Sequence, residues 1–307
     1  MNVLVYLLSK VKSLSIDKEQ FSFLKFPSNV ELVFAENEEE FKSKLVSANV
    51  VVCWRFEEKY FALAKELSYI ITPAAGQDWI ATPPLESNIR VIHSTFHGNL
   101  IANSLLGSIQ FFNNNLDIEL KYKRDKQWRR DSLPYRKLLR EQNILIVGYG
   151  AIGRICALEL KRFNCSIYGT KRSVEADTDD IGTKIIEFSK MGEVLGMMDH
   201  VVVLLPSHSE LTRVLGSEFF RGLSNEAVIH SYGRGICLDE DLLYSSLVSN
   251  DIRGAALDVF EDEPLPNHSK LWELDTILIT QHSSCFYKEY SSLFIEELLK
   301  TLEGIVA

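Results

Sequence analysis

One stretch restricts this chain more than any other: Asn143-Ile144-Leu145-Ile146-Val147-Gly148-Tyr149-Gly150-Ala151-Ile152-Gly153-Arg154. An apolar run of the kind that forms a buried strand enters a G-x-G-x-x-G loop, and residues 154–163 continue with helical spacing. Each glycine has its own task. Gly148 permits the tight turn, Gly150 lets the backbone approach a pyrophosphate, and Gly153 lets the helix pack close to the strand. The free N–H groups of the helix start then face the phosphates. A lone G-x-G-x-x-G is weak, but between a strand and a helix it reads as a dinucleotide loop. Gly148, Tyr149, Gly150, Ala151, Ile152 and Gly153 are therefore expected at the cofactor.

The next strand decides which dinucleotide. An NAD site usually carries an acid about 20 residues on, which holds the ribose 2′-hydroxyl. Here Ser166-Ile167-Tyr168-Gly169 runs into Thr170-Lys171-Arg172-Ser173, with no acid, and Glu175 lies too far along. Lys171, Arg172 and Ser173 suit a 2′-phosphate, because cations make charge-assisted bonds to phosphate. The reading is NADP(H) preferred, with NAD(H) left open.

Around this motif, short apolar runs alternate with amphipathic stretches. Strands are expected at residues 2–8, 50–54, 69–72 and 90–93. A helix should start after Asn37, whose side chain can cap it ahead of three glutamates, and another should span 60–67. Residues 98–115 repeat apolar positions at helical spacing, and Asn113-Asn114-Asn115 should end that helix. A polar stretch over 121–130, containing Trp128, separates it from a second series of strands at 144–147, 166–168, 201–205, 227–230, 255–259 and 276–280. Residues 289–302 read as a closing amphipathic helix. Alternation of this kind makes parallel sheets with crossover helices. At 307 residues two domains fit better than one or three. The expected class is α/β, with two doubly wound parallel-sheet domains and a cleft between them.

Composition excludes several functions. With 33 Lys+Arg against 42 Asp+Glu the net charge is −9, a sign that opposes nucleic acid. No apolar run approaches the roughly 18 residues of a membrane span. The apolar N-terminus has no basic residues before it and no small-residue cleavage site after it, so it reads as a strand and not a secretory signal. Five scattered cysteines without a C-x-x-C pair point to reduced thiols in the cytoplasm, with no disulfide framework and no metal site.

Three downstream segments carry further chemistry: His230-Ser231-Tyr232-Gly233-Arg234-Gly235, then Gly254-Ala255-Ala256-Leu257-Asp258-Val259-Phe260-Glu261-Asp262-Glu263-Pro264-Leu265-Pro266, then Ile279-Thr280-Gln281-His282-Ser283-Ser284. In order and spacing, after the glycine loop, they resemble the D-isomer-specific 2-hydroxyacid dehydrogenases. That family includes glyoxylate/hydroxypyruvate reductases, D-lactate dehydrogenases and phosphoglycerate dehydrogenases. The resemblance is strong from residue 143 to 284 and weaker over the first hundred residues. It implies that Arg234 binds the 2-oxo acid, its fork holding the carboxylate and polarising the carbonyl. It implies that His282 is the general acid/base and that Glu263 bonds the other ring nitrogen and raises its pKa. Asp258 would bond the nicotinamide carboxamide, and Leu205-Pro206 would lie over the adenosine. Ala75 and Gly76, in a small-residue loop after the strand at 69–72, would offer backbone N–H groups to the substrate carboxylate.

The resemblance also implies domain boundaries: 1–96 plus 284–307 for the substrate-binding domain, and 97–283 for the cofactor domain. It implies a homodimer formed through the cofactor domains and a short 2-oxo acid as substrate, glyoxylate or hydroxypyruvate first. Two departures stand out: Ala102-Asn103-Ser104 where many members have Ala-Glu-His, and Gln281 where many have proline before the histidine. Two alternatives stay open. One is an NAD(P)-sensing interaction protein like the corepressors that keep this fold. The other is a dehydrogenase for a larger or phosphorylated acid, for which Arg55 is the single hint.

Overall fold

The computed structural model describes residues 1–9, 11 and 14–307. The chain divides into two compact units, Met1–His97 with Phe286–Ala307, and Gly98–Cys285. The first unit is a five-stranded sheet: β1 (Asn2–Tyr6), β2 (Glu31–Phe34), β3 (Val50–Cys53), β4 (Tyr69–Thr72) and β5 (Arg90–His93), with α1 (Glu38–Leu45) after β2. The order is β2-β1-β3-β4-β5 and every pairing is parallel. β3 is buried at all four positions, which is why its run of valines carries no polar alternation. Asn37 caps α1 as its side chain suggests, Oδ1 accepting from Glu40 N at 2.9 Å.

The apolar spacing at Tyr60, Ala64 and Leu67 predicts a helix over 60–67, and the structure corrects this. Tyr60, Phe61, Leu63, Ala64 and Leu67 each donate their N–H to the carbonyl three residues back, a run of tight turns. Eight residues offer few i→i−4 bonds against the cost of nucleating a helix. The same side chains bury themselves without one: the Tyr60 ring lies 5.2 Å from Phe41 and 5.5 Å from Phe56. Strand β2 escapes the sequence reading because it is short and only partly buried.

The second unit contains α2 (His97–Asn113, from Gly98 onward), α3 (Leu116–Arg124), β6 (Asn143–Val147), α4 (Ala151–Lys161), β7 (Ser166–Lys171), β8 (Lys184–Glu187), β9 (His200–Val203), α5 (Ser217–Gly222), β10 (Val228–Ser231), α6 (Glu240–Val248), β11 (Gly254–Leu257) and β12 (Ile277–Ile279). Its seven strands are all parallel, in the order β12-β11-β10-β9-β6-β7-β8. Chain order reverses between β6 and β9, so their carboxyl ends flank the crevice where such sheets bind ligands. Five or six strands are expected from the sequence; β8 is an additional edge strand of four residues. Part of the polar stretch is also helical, as α3. Asn115, at φ 54°, breaks α2 from α3, and its amide donates to Pro134 O at 3.0 Å.

The last helix, α7 (Tyr290–Val306), returns to the first unit. Its Glu297 carboxylate accepts from Thr95 N and Phe96 N, both at 2.8 Å, and fastens the chain just beyond β5.

Candidate active site

The glycine loop leaves the carboxyl end of β6. Gly148 sits at φ 94°, in the left-handed region that favours glycine, and a Cβ there would meet the Leu204 carbonyl at 2.9 Å. A Cβ on Gly153 would lie 3.0 Å from Gly148 O and 3.1 Å from Ile146 Cγ2, so helix and strand pack close only because it is absent. At Gly150, which caps α4, nothing comes within 4 Å of a Cβ position. This open space at a helix N-terminus fits a dinucleotide pyrophosphate. Ala151 is exposed and Ile152 half-buried. The Tyr149 side chain turns inward: its hydroxyl donates to Asp179 Oδ2 at 2.6 Å, and its ring covers Gly169. Burial, reinforced by the Asp179 carboxylate, pushes this phenol up to about 12. Only the backbone of Tyr149 is left to face a ligand.

Lys171 ends β7, and Lys171, Arg172 and Ser173 are all exposed. Neither cation has an ion pair among the described residues. The Lys171 ammonium lies 5.8 Å from the centre of the Tyr149 ring. The neighbouring Thr170 hydroxyl is buried and accepts from Gly148 N at 3.1 Å. At the end of β9, Leu204 N donates to Val147 O at 2.8 Å; Leu205 is buried and Pro206 exposed.

Arg234 follows β10 between two glycines that the backbone requires. A Cβ on Gly233 would collide with the Leu205 carbonyl, and one on Gly235 with the backbone of Phe260. Both flanks of the arginine are thus pinned, one to the segment after β9 and one to the segment after β11. Arg234 is half-buried, and its Nη1 donates to Gly233 O at 3.0 Å.

The segment after β11 supplies the carboxylates. Glu263 Oε1 accepts from Phe260 N at 3.1 Å, and Oε2 lies 2.7 Å from His282 Nδ1. The Glu263 bond raises the His282 pKa against the opposing effect of burial, and the nearby Arg234 charge lowers it. Burial alone would raise the Glu263 carboxyl, but the His282 contact holds it below its ordinary value. Nδ1 is therefore the donor to the carboxylate, which leaves Nε2 for another partner. The side chain is 47% exposed, so that nitrogen is reachable.

Asp258 does something the sequence does not reveal. It is 1% exposed. Its Oδ1 accepts from the Thr280 hydroxyl at 2.7 Å and Ser283 N at 2.8 Å, and Oδ2 accepts from Ser284 N at 3.1 Å. Its carbonyl accepts from His282 N at 2.7 Å. His282 itself sits at φ 51°, where a non-glycine residue is uncommon and must be held. Asp258 thus clamps the loop that carries His282. Thr280, Ser283 and Ser284 are the residues the motif reading missed; their small polar side chains and N–H groups around a histidine were the available signal.

The structure brings Asp258, Glu263 and His282 into direct contact. Ala75 and Gly76 belong to the first unit, in the loop after β4. Both are partly exposed, and Gly76 precedes a short 3₁₀ turn, Gln77–Trp79, at φ −71°, ψ 143°. Cavities of about 370 and 220 Å³ open elsewhere, at the amino edge of the second sheet. They are lined by charges already paired, Arg253 with Asp117 at 2.7 Å and Lys137 with Glu226 at 3.0 Å. The Glu263–His282 pair lies instead beyond the carboxyl ends of β11 and β12.

A doubly wound sheet with this loop and this histidine–carboxylate pair defines a nucleotide-binding α/β protein. Residues 109–284 match the family model for the D-isomer specific 2-hydroxyacid dehydrogenase NAD binding domain, more than half of the chain, and the protein belongs to that family. A glyoxylate reductase of Pyrococcus furiosus is 31% identical over 170 residues, covering 53% of this chain and 49% of its own length. The chain thus spans about half the length of the curated relatives it matches. Two solved structures superpose on 99% of it, each with a TM-score of 0.81 and with 95% of the other chain covered. One is a D-isomer specific 2-hydroxyacid dehydrogenase from Xanthobacter autotrophicus in complex with NADPH and MES, 21% identical. The other is an NADPH-dependent glyoxylate/hydroxypyruvate reductase from Sinorhizobium meliloti in complex with NADP and sulfate, 20% identical. At these identities the likeness speaks to the fold. Among the described residues no helix is long and apolar enough to cross a membrane.

Proposed function

We propose that this protein catalyses reversible hydride transfer between NADP(H) and a small 2-oxo acid or its D-2-hydroxy acid, with glyoxylate and hydroxypyruvate as first substrates. The observation that carries the reading is the 2.7 Å bond from His282 Nδ1 to Glu263, on a loop clamped by Asp258. A bound nicotinamide would supply the hydride. In reduction, protonated His282 would give its Nε2 proton to the carbonyl oxygen; in oxidation it would take that proton back. Such a group is worth on the order of 10²–10⁴-fold. Arg234 would hold the substrate carboxylate and polarise the carbonyl, and the N–H groups of Ala75 and Gly76 would take the carboxylate's remaining lone pairs.

Gly148 to Gly153 would cradle the pyrophosphate. Lys171, Arg172 and Ser173 would hold the 2′-phosphate, and Leu205 and Pro206 would cover the adenosine. The preference for NADP(H) over NAD(H) is supported by two exposed cations without ion pairs at the end of β7, and by the NADP(H) bound in the two solved structures of the same fold. The same reading takes the protein to be a cytoplasmic homodimer. Trp128, Tyr135 and Leu138, exposed on the second unit, offer an apolar surface for a second copy.

The test is steady-state oxidation of NADPH and NADH, side by side, with glyoxylate, hydroxypyruvate, pyruvate and 2-oxoisocaproate. Turnover with NADPH and a short acid supports the whole reading. Turnover with NADH alone keeps the reaction and removes the cofactor preference. Tight cofactor binding without turnover of any 2-oxo acid refutes the reading and favours a sensing role.

A further inference from the structure

Glu263 meets His282 from a turn at the surface. Phe260 is buried where the turn leaves β11, but Asp262, Glu263 and Pro264 are exposed. A carboxylate that orients an imidazole has to be held to about 0.5 Å, and an exposed turn does not hold itself so closely. The residue that fastens it is Glu261, gripped at both main chain and side chain. Its N–H donates to Glu240 Oε1 at 2.6 Å, and its carboxylate accepts from Arg213 Nη2 at 2.9 Å and Nε at 3.3 Å. Two residues on, Glu263 accepts from Phe260 N and reaches His282 Nδ1. All of these residues belong to the second unit.

Both grips come from rigid ground. Glu240 opens α6, which Asp239 caps, its Oδ1 accepting from Leu242 N at 3.1 Å. Arg213 sits at φ 49°, uncommon for a residue other than glycine. Its N–H donates to Ile236 O at 2.7 Å, and Leu215 N donates to Cys237 O at 3.0 Å. Its guanidinium also lies 3.8 Å from Asp239 and 3.5 Å from Asp241. The placement of Glu240 opposes its charge, which argues for a task. A carboxylate in the first turn of a helix serves the positive end while facing water, as the exposed Asp241 does. Glu240 is half-buried beside Glu261 and Asp262. Burial and those two charges push its pKa up, against the Glu261 N–H bond and the Arg213 charge.

We propose that Glu240, with Arg213 bracing the same turn, is a positioning residue that holds the Glu263 carboxylate in line with His282 Nδ1. Without the Glu240 acceptor the Glu261 N–H turns to water, the turn is held by Arg213 alone, and the Glu263–His282 bond loosens. The consequence for turnover rests on the hydride-transfer reading; the consequence for the imidazole does not.

The experiment is an NMR titration of the His282 imidazole in the full chain, with Glu240→Gln, Glu240→Asp, Glu240→Ala and Arg213→Met. The charged groups that face the ring, Glu263, Arg234 and Asp258, stay unchanged in all four. Glu240→Gln keeps an oxygen within reach of the Glu261 N–H and drops the charge. Glu240→Asp keeps the charge and is one methylene too short. The His282 pKa should stay near the wild-type value in Glu240→Gln and fall by about half a unit or more in Glu240→Asp and Glu240→Ala, about threefold in the ratio of protonated to neutral ring. Arg213→Met should lower it too, whereas loss of a positive charge by itself would raise it. A fall in Glu240→Gln as large as that in Glu240→Ala would assign the effect to charge and overturn the proposal, as would no fall in Glu240→Asp. If Glu240→Ala does not fold, the comparison of Glu240→Gln with Glu240→Asp decides. In turnover with NADPH and glyoxylate, the decline of kcat with rising pH should begin about half a unit lower in Glu240→Asp than in Glu240→Gln. If no 2-oxo acid turns over, the hydride-transfer reading fails by itself and the imidazole titration still decides the role of Glu240.

Discussion

Acid should weaken this protein through two histidines that no ligand is expected to touch. His200 on β9 and His230 on β10 are 1% and 0% exposed and lie side by side, His200 Nδ1 to His230 Nε2 at 2.9 Å. The other nitrogen of His200 faces two carbonyl oxygens, Asn113 Oδ1 at 3.2 Å and Gln142 Oε1 at 3.3 Å. Both oxygens only accept, so His200 Nε2 must carry the proton and its Nδ1 must accept from His230 Nε2–H. His230 Nδ1 then accepts from the Ser108 hydroxyl at 2.8 Å. The contact between the two rings has room for one proton. A second proton on His200 would set two donors head to head between the rings. Burial accordingly drives His200 down to about 3, helped by the Lys137 charge, and holds His230 well below its ordinary value, helped by His200.

The sign and size follow. Below the unfolded pKa of about 6.5 the unfolded chain binds two protons that the folded one refuses, so stability falls as pH falls. From pH 7 to 5.5 the loss is about 1.2 kcal/mol for each ring, or about 2.5 kcal/mol for the pair. His282 works in the opposite sense: its folded pKa is raised, so its stabilisation is fully present below about pH 6.5 and adds no slope there. The assay is urea unfolding at pH 7.0 and 5.5, with amide exchange of β9 and β10 to confirm that the second unit is the one affected. The reference is the variant His200→Gln with His230→Gln, whose amides do not titrate. Wild type should lose about 2.5 kcal/mol more than the variant between the two pH values. Equal losses would refute the argument, as would imidazole NMR shifts of His200 or His230 that titrate near pH 6.5 in the folded state.

The remaining predictions concern the site. His282→Ala should lower kcat about a hundredfold or more while cofactor still binds; unchanged kcat would remove its assignment. Glu263→Gln takes away the carboxylate that raises the His282 pKa, so the fall of reductive kcat with rising pH should begin at lower pH; an unmoved profile would detach Glu263 from the titration. Lys171→Ala with Arg172→Ala should weaken NADPH binding by tenfold or more relative to NADH, measured by fluorescence titration; equal weakening of both would place 2′-phosphate recognition elsewhere. Gly235→Ala sets a methyl into the Phe260 backbone and should cost about 1–3 kcal/mol or more of stability; a wild-type thermal midpoint would show that the segment shifts freely.

How much of this was legible in the sequence differs by element, and the difference has a physical cause. The glycine loop is legible because its three glycines answer to backbone geometry alone: a φ of 94°, an open face at a helix start and a close helix–strand contact. Strands such as β3 and β6 are legible because burial on both sides leaves only apolar residues to write them with. What was illegible depends on partners distant in sequence. Residues 60–67 show a helical pattern of burial and yet form turns, because their apolar side chains answer to Phe41 and Phe56 more than to their own backbone. Asp258 shows the same limit at the site. A strand-end aspartate can face a ligand, a cap or a loop, and only the positions of Thr280, Ser283 and Ser284, more than twenty residues on, decide among them. The dehydrogenase resemblance assigned it a cofactor contact; the fold shows that its carboxylate also holds the loop of His282. A residue that must sit at φ 51° to present its ring needs such a clamp, so His282 and the buried aspartate form one unit. Gln281 completes the argument. Many relatives carry proline at that place, and proline would stiffen the approach to the histidine through its fixed φ. Here the three donors gathered on Asp258 must hold the loop by hydrogen bonding, so the position of His282 depends on a carboxylate that never needs to meet the substrate.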